Sequence, residues 1–158
     1  MIRFTVTRLL AAANLAAIAV PAAAQDFSQP PTFGSAALKS GFAPDPQAVS
    51  MVPGGSTDAA RTLGGACVGG IAEAPDYRID FAAGQYVLQF YVRSNEDTTL
   101  VINAPDGSWY CNDDTDGFDP AVFFQSPMSG QYDIWIGTFS GGIGTQATLY
   151  ITEQSTRY

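Results

Sequence analysis

The 158-residue chain contains no histidine. That absence removes the Ser-His-Asp triad, the Cys-His dyad and every His-ligated metal before any motif is sought. Basic side chains are scarce as well, with 7 Lys and Arg against 15 Asp and Glu and a formal charge of −8. Nucleic-acid binding needs clustered Lys and Arg, so that class of partner is excluded. Only 14% of the residues are charged, against about 25% in ordinary soluble domains. Two cysteines without histidine cannot complete a structural zinc site. No apolar run reaches the roughly 20 residues that cross a bilayer as a helix. Turn formers are what the chain has in quantity, 16 glycines and 10 prolines.

Arg3 and Arg8 stand before an apolar run from Leu9 to Val20, which ends in Pro21-Ala22-Ala23-Ala24. A basic start, about a dozen apolar residues and a small-x-small end make a secretory signal peptide, here residues 1–24, with cleavage expected after Ala24. The processed chain is then secreted or periplasmic and has no membrane span. It keeps Lys39, Arg61, Arg78, Arg93 and Arg157 against all 15 acids, a net charge of −10. Such a surface repels nucleic acid and anionic lipid and favours divalent cations. In an exported chain, Cys67 and Cys111 read as one structural disulfide.

Residues 25–46 hold four prolines, at 30, 31, 44 and 46, and few apolar repeats, which predicts an extended or disordered lead-in. From Gln47 onward, short alternating runs are divided by Gly, Pro, Asn and Asp. Strands are predicted over Gln47–Val52, Tyr77–Phe81, Gln85–Arg93, Thr98–Asn103, Ser108–Cys111, Ala121–Gln125, Gln131–Phe139 and Gln146–Thr152. Only Thr57–Thr62 suits a turn of helix. About eight short strands at regular spacing imply an all-β fold, a single antiparallel β-sandwich over residues 47–158. Alternation puts Tyr86, Leu88, Phe90 and Val92 on one face, and Tyr132, Ile134 and Ile136 on another. Tyr91, Trp135 and Phe139 lie on the opposite faces, as a second buried layer or an exposed platform.

The densest polar stretch is Asn112-Asp113-Asp114-Thr115-Asp116-Gly117-Phe118-Asp119, directly after Cys111. Four carboxylates this close repel one another unless a cation or water screens them. Oxygen ligands at 112, 114 and 116 followed by Gly117 fit the opening of a calcium loop. An EF-hand is excluded, because its twelfth position is Phe123 instead of a bidentate Glu and strands flank it instead of helices. Asn112, Asp113, Asp114, Asp116 and Asp119 are therefore candidate Ca2+ ligands, with Asp106 and Glu96 or Asp97 as more distant contributors. A solvated turn is the alternative, since Asn and Asp favour turns for local hydrogen-bonding reasons. Asp-Thr-Asp-Gly at 114–117 also has the look of an aspartic-protease signature, but the adjacent acids obstruct a shared-proton pair.

The order of segments from Tyr77 to Glu153 resembles the bacterial pre-peptidase C-terminal domain. The residues that carry the resemblance are Ala83-Gly84-Gln85-Tyr86, Thr99-Leu100-Val101-Ile102 with Ala104-Pro105-Asp106-Gly107, and Asn112-Asp113-Asp114. They continue through Phe123-Phe124, Ser129-Gly130-Gln131-Tyr132-Asp133-Ile134-Trp135-Ile136 and Ala147-Thr148-Leu149-Tyr150-Ile151. The resemblance covers about half of the chain. It implies a jelly-roll-like sandwich with an accessory, non-catalytic role, and in some relatives calcium or collagen binding. Residues 1–76 are not expected to hold the peptidase domain that usually accompanies this module.

The function expected from these features is an exported, calcium-stabilised binding module for a surface polysaccharide or protein. Tyr91, Trp109 and Trp135 are its candidate contact residues, able to stack on sugars or pack on a partner. One alternative is a structural subunit that self-associates by strand addition at a sheet edge. Another is a small carboxylate-dependent hydrolase, although no catalytic pair is singled out.

Overall fold

The structure is a computed structural model that describes residues 25–155. The expected signal peptide and its cleavage point lie outside the described residues. Thirteen strands and one helical turn follow in chain order: β1 Ser35–Lys39, β2 Gln47–Met51, β3 Gly54–Gly55, β4 Thr57–Asp58, α1 Ala59–Thr62, β5 Gly70–Ile71, β6 Tyr77–Ala82, β7 Leu88–Ser94, β8 Thr98–Asn103, β9 Trp109–Asn112, β10 Ala121–Phe124, β11 Gly130–Thr138, β12 Gly142–Ile143 and β13 Ala147–Thr152. The fold is all-β, as the spacing of apolar runs and turns predicts.

Strand β11 is the hub of the larger sheet. It pairs with β6 and the short β5 along one edge and with β8 along the other, and β9 extends the sheet beyond β8. The second sheet runs β10-β7-β13-β2, and β3 with β12 forms a separate two-stranded ribbon. Between the two large sheets lies the main core. Ile79, Phe81, Leu100, Ile102, Tyr132, Ile134 and Ile136 come from one side, and Leu88, Phe90, Val92, Phe124, Leu149 and Ile151 from the other. The Phe90 and Tyr132 rings meet across this layer with centroids 5.8 Å apart. The alternating residues of β7 and β11 therefore face the core as expected, except Tyr86, which is exposed because β7 begins only at Leu88.

A second apolar layer covers the outer face of the larger sheet. There Val101 and Trp135 pack with Ala59, Cys67 and Ile71. The covering segment is tied down by the Cys67–Cys111 disulfide, which joins it to β9. Asp58 starts α1 by accepting a hydrogen bond from the Arg61 amide at 3.2 Å, an ordinary N-cap arrangement.

Two expectations need correction. Residues 25–46 are not a lead-in outside the fold: β1 adds to the sheet, Leu38 is buried, and Phe33 and Phe42 pack against the core. Alternation with so few apolar residues hid that strand. Nor is the sandwich wholly antiparallel, because β1 runs parallel to β6, with Ser35 opposite Arg78 and Lys39 opposite Ala82. Pairing direction leaves no trace in local periodicity.

Candidate functional site

The acidic loop is organised by Arg93. Its Nη1 donates to Asp116 Oδ2 at 2.7 Å and to Asp119 Oδ2 at 2.8 Å. The other Asp119 oxygen accepts from the Ser94 amide at 3.1 Å. Asn112 Oδ1 accepts from the Thr115 hydroxyl at 2.7 Å and from the Ala121 amide at 2.8 Å. A reciprocal backbone pair between Asp116 and Asp119 closes the turn. The guanidinium thus supplies at Asp116 and Asp119 the positive charge that the sequence assigns to calcium.

The more distant acids are also engaged elsewhere. Glu96 accepts from the amide and hydroxyl of Thr145, and Asp106 accepts from the Ser108 amide. Asp97 alone lies close enough to feel the loop. Its carboxyl is held above the usual range by partial burial, then by the charges of Asp114 and Asp113. Among the described residues, no three Asp, Glu or Cys side chains converge to hold a metal ion. Asn112, Asp113, Asp114, Asp116 and Asp119 do not fit calcium as one donor set, because an internal cation already occupies two of them.

The three candidate aromatic contacts do not form a platform. Trp135 is fully buried in the second apolar layer. Trp109 packs on it with ring centroids 5.3 Å apart and is only partly open. Tyr91 belongs to the other sheet, where it is buried and stacked on Tyr150 at 4.8 Å. Opposite sides of a sandwich cannot present one surface.

An open groove of about 670 Å³ lies elsewhere, between three stretches distant in sequence: 54–58, 69–72 and 139–143. The ribbon of β3 and β12 forms one wall, and the β4–β5 pair forms another. Glycine doublets pave it. A β-carbon on Gly54 would collide with the Gly142 carbonyl oxygen, and one on Gly70 would come within 2.8 Å of the Gly141 Cα. The floor is therefore main chain, and only glycine lets those segments come this close. Phe139 and Ile143 stand on the rim, 50% and 73% exposed.

Among the described residues, Asp58 is the one ionisable side chain lining the groove, and it caps α1. The strongly perturbed carboxyl is elsewhere: burial lifts Asp76 to about 7, against the opposing hydrogen bond from the Ile136 amide. Nothing in the motif reading pointed to the groove. Its signal was present as Gly54-Gly55, Gly69-Gly70 and Gly141-Gly142, but the first and last, behind Pro53 and Ser140, have the form of ordinary turns, and Gly69-Gly70 falls in no predicted strand.

No family model matches the chain, and no curated protein does. Among solved structures it is similar to PliG of Aeromonas hydrophila, a periplasmic lysozyme inhibitor of g-type lysozyme. Identity is 13%, the match covers 77% of this chain and 98% of that one, and the TM-score is 0.43. A likeness at that level carries no functional argument.

Proposed function

We propose that this chain is an exported, non-catalytic β-sandwich that binds an extended segment of a protein partner across the glycine-paved groove. The observation that carries this reading is the pairing of a main-chain floor with two exposed apolar side chains, Phe139 and Ile143. A floor paved by glycine, with only the small side chains of Ser56, Ala72 and Ser140 and the capping Asp58 beside it, would admit a backbone closely and exchange main-chain hydrogen bonds with it. The rim then supplies apolar anchors, each worth about 1.5–3 kcal/mol when fully buried. An aliphatic rim favours a polypeptide over a polysaccharide, because sugar rings stack on flat aromatic faces and Ile143 offers none.

Binding is favoured over catalysis by where the titratable groups are. The groove's carboxylate is committed to a helix cap, and the shifted carboxyl of Asp76 does not line the groove. The leader signature supports export, and no helix among the described residues is long and apolar enough to cross a membrane. An accessory role also agrees with the resemblance to the pre-peptidase C-terminal module, which stands as part of this proposal.

Selection from a phage-displayed library of random linear peptides tests the reading. Apolar peptides are expected to be enriched, and Phe139→Ser with Ile143→Ser is expected to weaken them about tenfold or more. Failure to enrich any peptide, or enrichment indifferent to both substitutions, overturns it.

A further inference from the structure

The Phe139 side of the groove borders a patch of unbalanced negative charge, and strand register brings the two together. Thr138, next to Phe139, lies opposite Gly70 of the groove on one flank and opposite Thr98 on the other. Asp97 therefore stands just before β8 and beside Phe139, whose amide donates to the Asp97 carbonyl at 3.1 Å. On the far flank of β8, Leu100 lies opposite Asn112, so Asp113 and Asp114 leave β9 at the same end of the sheet. Adjacent strands are about 4.8 Å apart, which puts these acids one and two strands away from the groove rim.

Asp97, Asp113 and Asp114 lack the partners that the other acids of the region have. Arg93 answers Asp116 and Asp119, and Arg78 answers Asp133. Glu96 is held by Thr145, and Asp58 by its helix cap. Among the described residues no Lys or Arg pairs with Asp97, Asp113 or Asp114. The Oδ1 atom of Asp97 is shielded from solvent without a hydrogen-bond donor. Repulsion within the patch is felt there, since partial burial and then the charges of Asp114 and Asp113 hold the Asp97 carboxyl above its usual range. Among the described residues no acids converge to hold a metal ion. Charge spread in this way suits a cation on a long flexible stem. The one cation close in sequence to the groove, Arg61, does not line it.

We propose that the partner segment is basic as well as apolar: an apolar residue covers Phe139 and Ile143, and a lysine or arginine a few positions away reaches over β8 to Asp97, Asp113 and Asp114. The inference rests on the groove as the binding site and names the chemistry of its occupant. The excess of 15 acidic over 7 basic side chains favours the same partner at longer range.

The test runs the random-peptide selection, with chelator present, on the unaltered protein and on Asp97→Asn with Asp113→Asn and Asp114→Asn. Peptides enriched on the unaltered protein are expected to carry Lys or Arg within a few positions of an apolar residue. Those enriched on the variant are expected to keep the apolar residue and lose the basic one. Replacing the basic residue of a selected peptide by Gln is expected to weaken its binding to the unaltered protein about fivefold or more at low salt. That comparison does not depend on the fold of the variant. Apolar peptides without a basic bias, a Gln replacement without effect, or a bias that the variant retains overturns the inference and leaves the groove standing. No enrichment, or binding indifferent to Phe139→Ser with Ile143→Ser, overturns the groove reading and the inference with it.

Discussion

Arg93 decides how the acidic loop is to be understood. Its side chain is about one-third exposed and bridges Asp116 and Asp119, so solvent screens the pair and the net gain is about 1 kcal/mol at most. Arg93→Ala is expected to lower unfolding free energy by about that amount in urea titrations. The unaltered protein is expected to melt at the same temperature in calcium and in chelator. A calcium-dependent rise of several degrees, abolished by Asp114→Ala, would restore the cation-binding alternative.

Asp76 governs a different observable. Its folded pKa of about 7 lies above the ordinary 3.8, so the native state holds the proton more tightly than the unfolded chain. The contribution of this group is therefore most favourable below pH 4, declines as pH rises towards 7, and then levels off. Asp76→Asn should flatten that part of the profile, a difference of up to roughly 4 kcal/mol in stability measured between pH 4 and 8. Arginine and aspartate counts were legible from the sequence, but these roles were not. Both depend on partners supplied by other strands.

At the scale of elements, strand positions were far more legible than strand partners. Thr98–Asn103 was delimited correctly, and Tyr77–Phe81 and Ala121–Gln125 to within one residue, because alternation and turn residues coincide there. Gln85–Arg93 was read three residues early at its start, since Tyr86 continues the alternation without entering the sheet. The prolines around β1 concealed it, and its parallel pairing could not be read from any single segment.

Two tethers hold the elements that local pattern missed. Arg78 pairs with buried Asp133 and also grips the carbonyls of Phe27 and Gln29. Arg78→Ala leaves the buried Asp133 carboxylate without its counter-charge, with the Gln131 amide still donating to it, and should cost about 3 kcal/mol, with faster amide exchange expected at residues 26–33. The disulfide is the second tether. Replacing Cys67 and Cys111 by Ser should lower stability by about 2–4 kcal/mol and shift the emission of Trp135 as its cover loosens.

For the whole molecule, the even cysteine count and alternating apolar runs were enough to read one β-sandwich with one disulfide. They were not enough to show that a second layer buries the outer face of the larger sheet. That layer puts Trp135 in the interior, the buried one of the two alternatives its alternation left open. It also created the groove, whose walls come from segments more than 80 residues apart, such as 54–58 and 139–143. Gly70→Val should force these walls apart, since even a β-carbon there falls 2.8 Å from the Gly141 Cα. The expected result is a folded but less stable protein that no longer retains the selected peptides, compared by circular dichroism and peptide binding.

Because the groove floor is main chain, its shape tolerates almost no substitution, while Phe139 and Ile143 stand clear of the packing beneath. The proposed function thereby separates affinity from preference. In that binding mode the floor would take any segment of suitable backbone conformation, and the two rim positions would discriminate among sequences. On that reading, retargeting this surface, by natural drift or by engineering, would begin at those two sites and the neighbouring Ser56, Ala72 and Ser140, on a scaffold whose cores remain untouched.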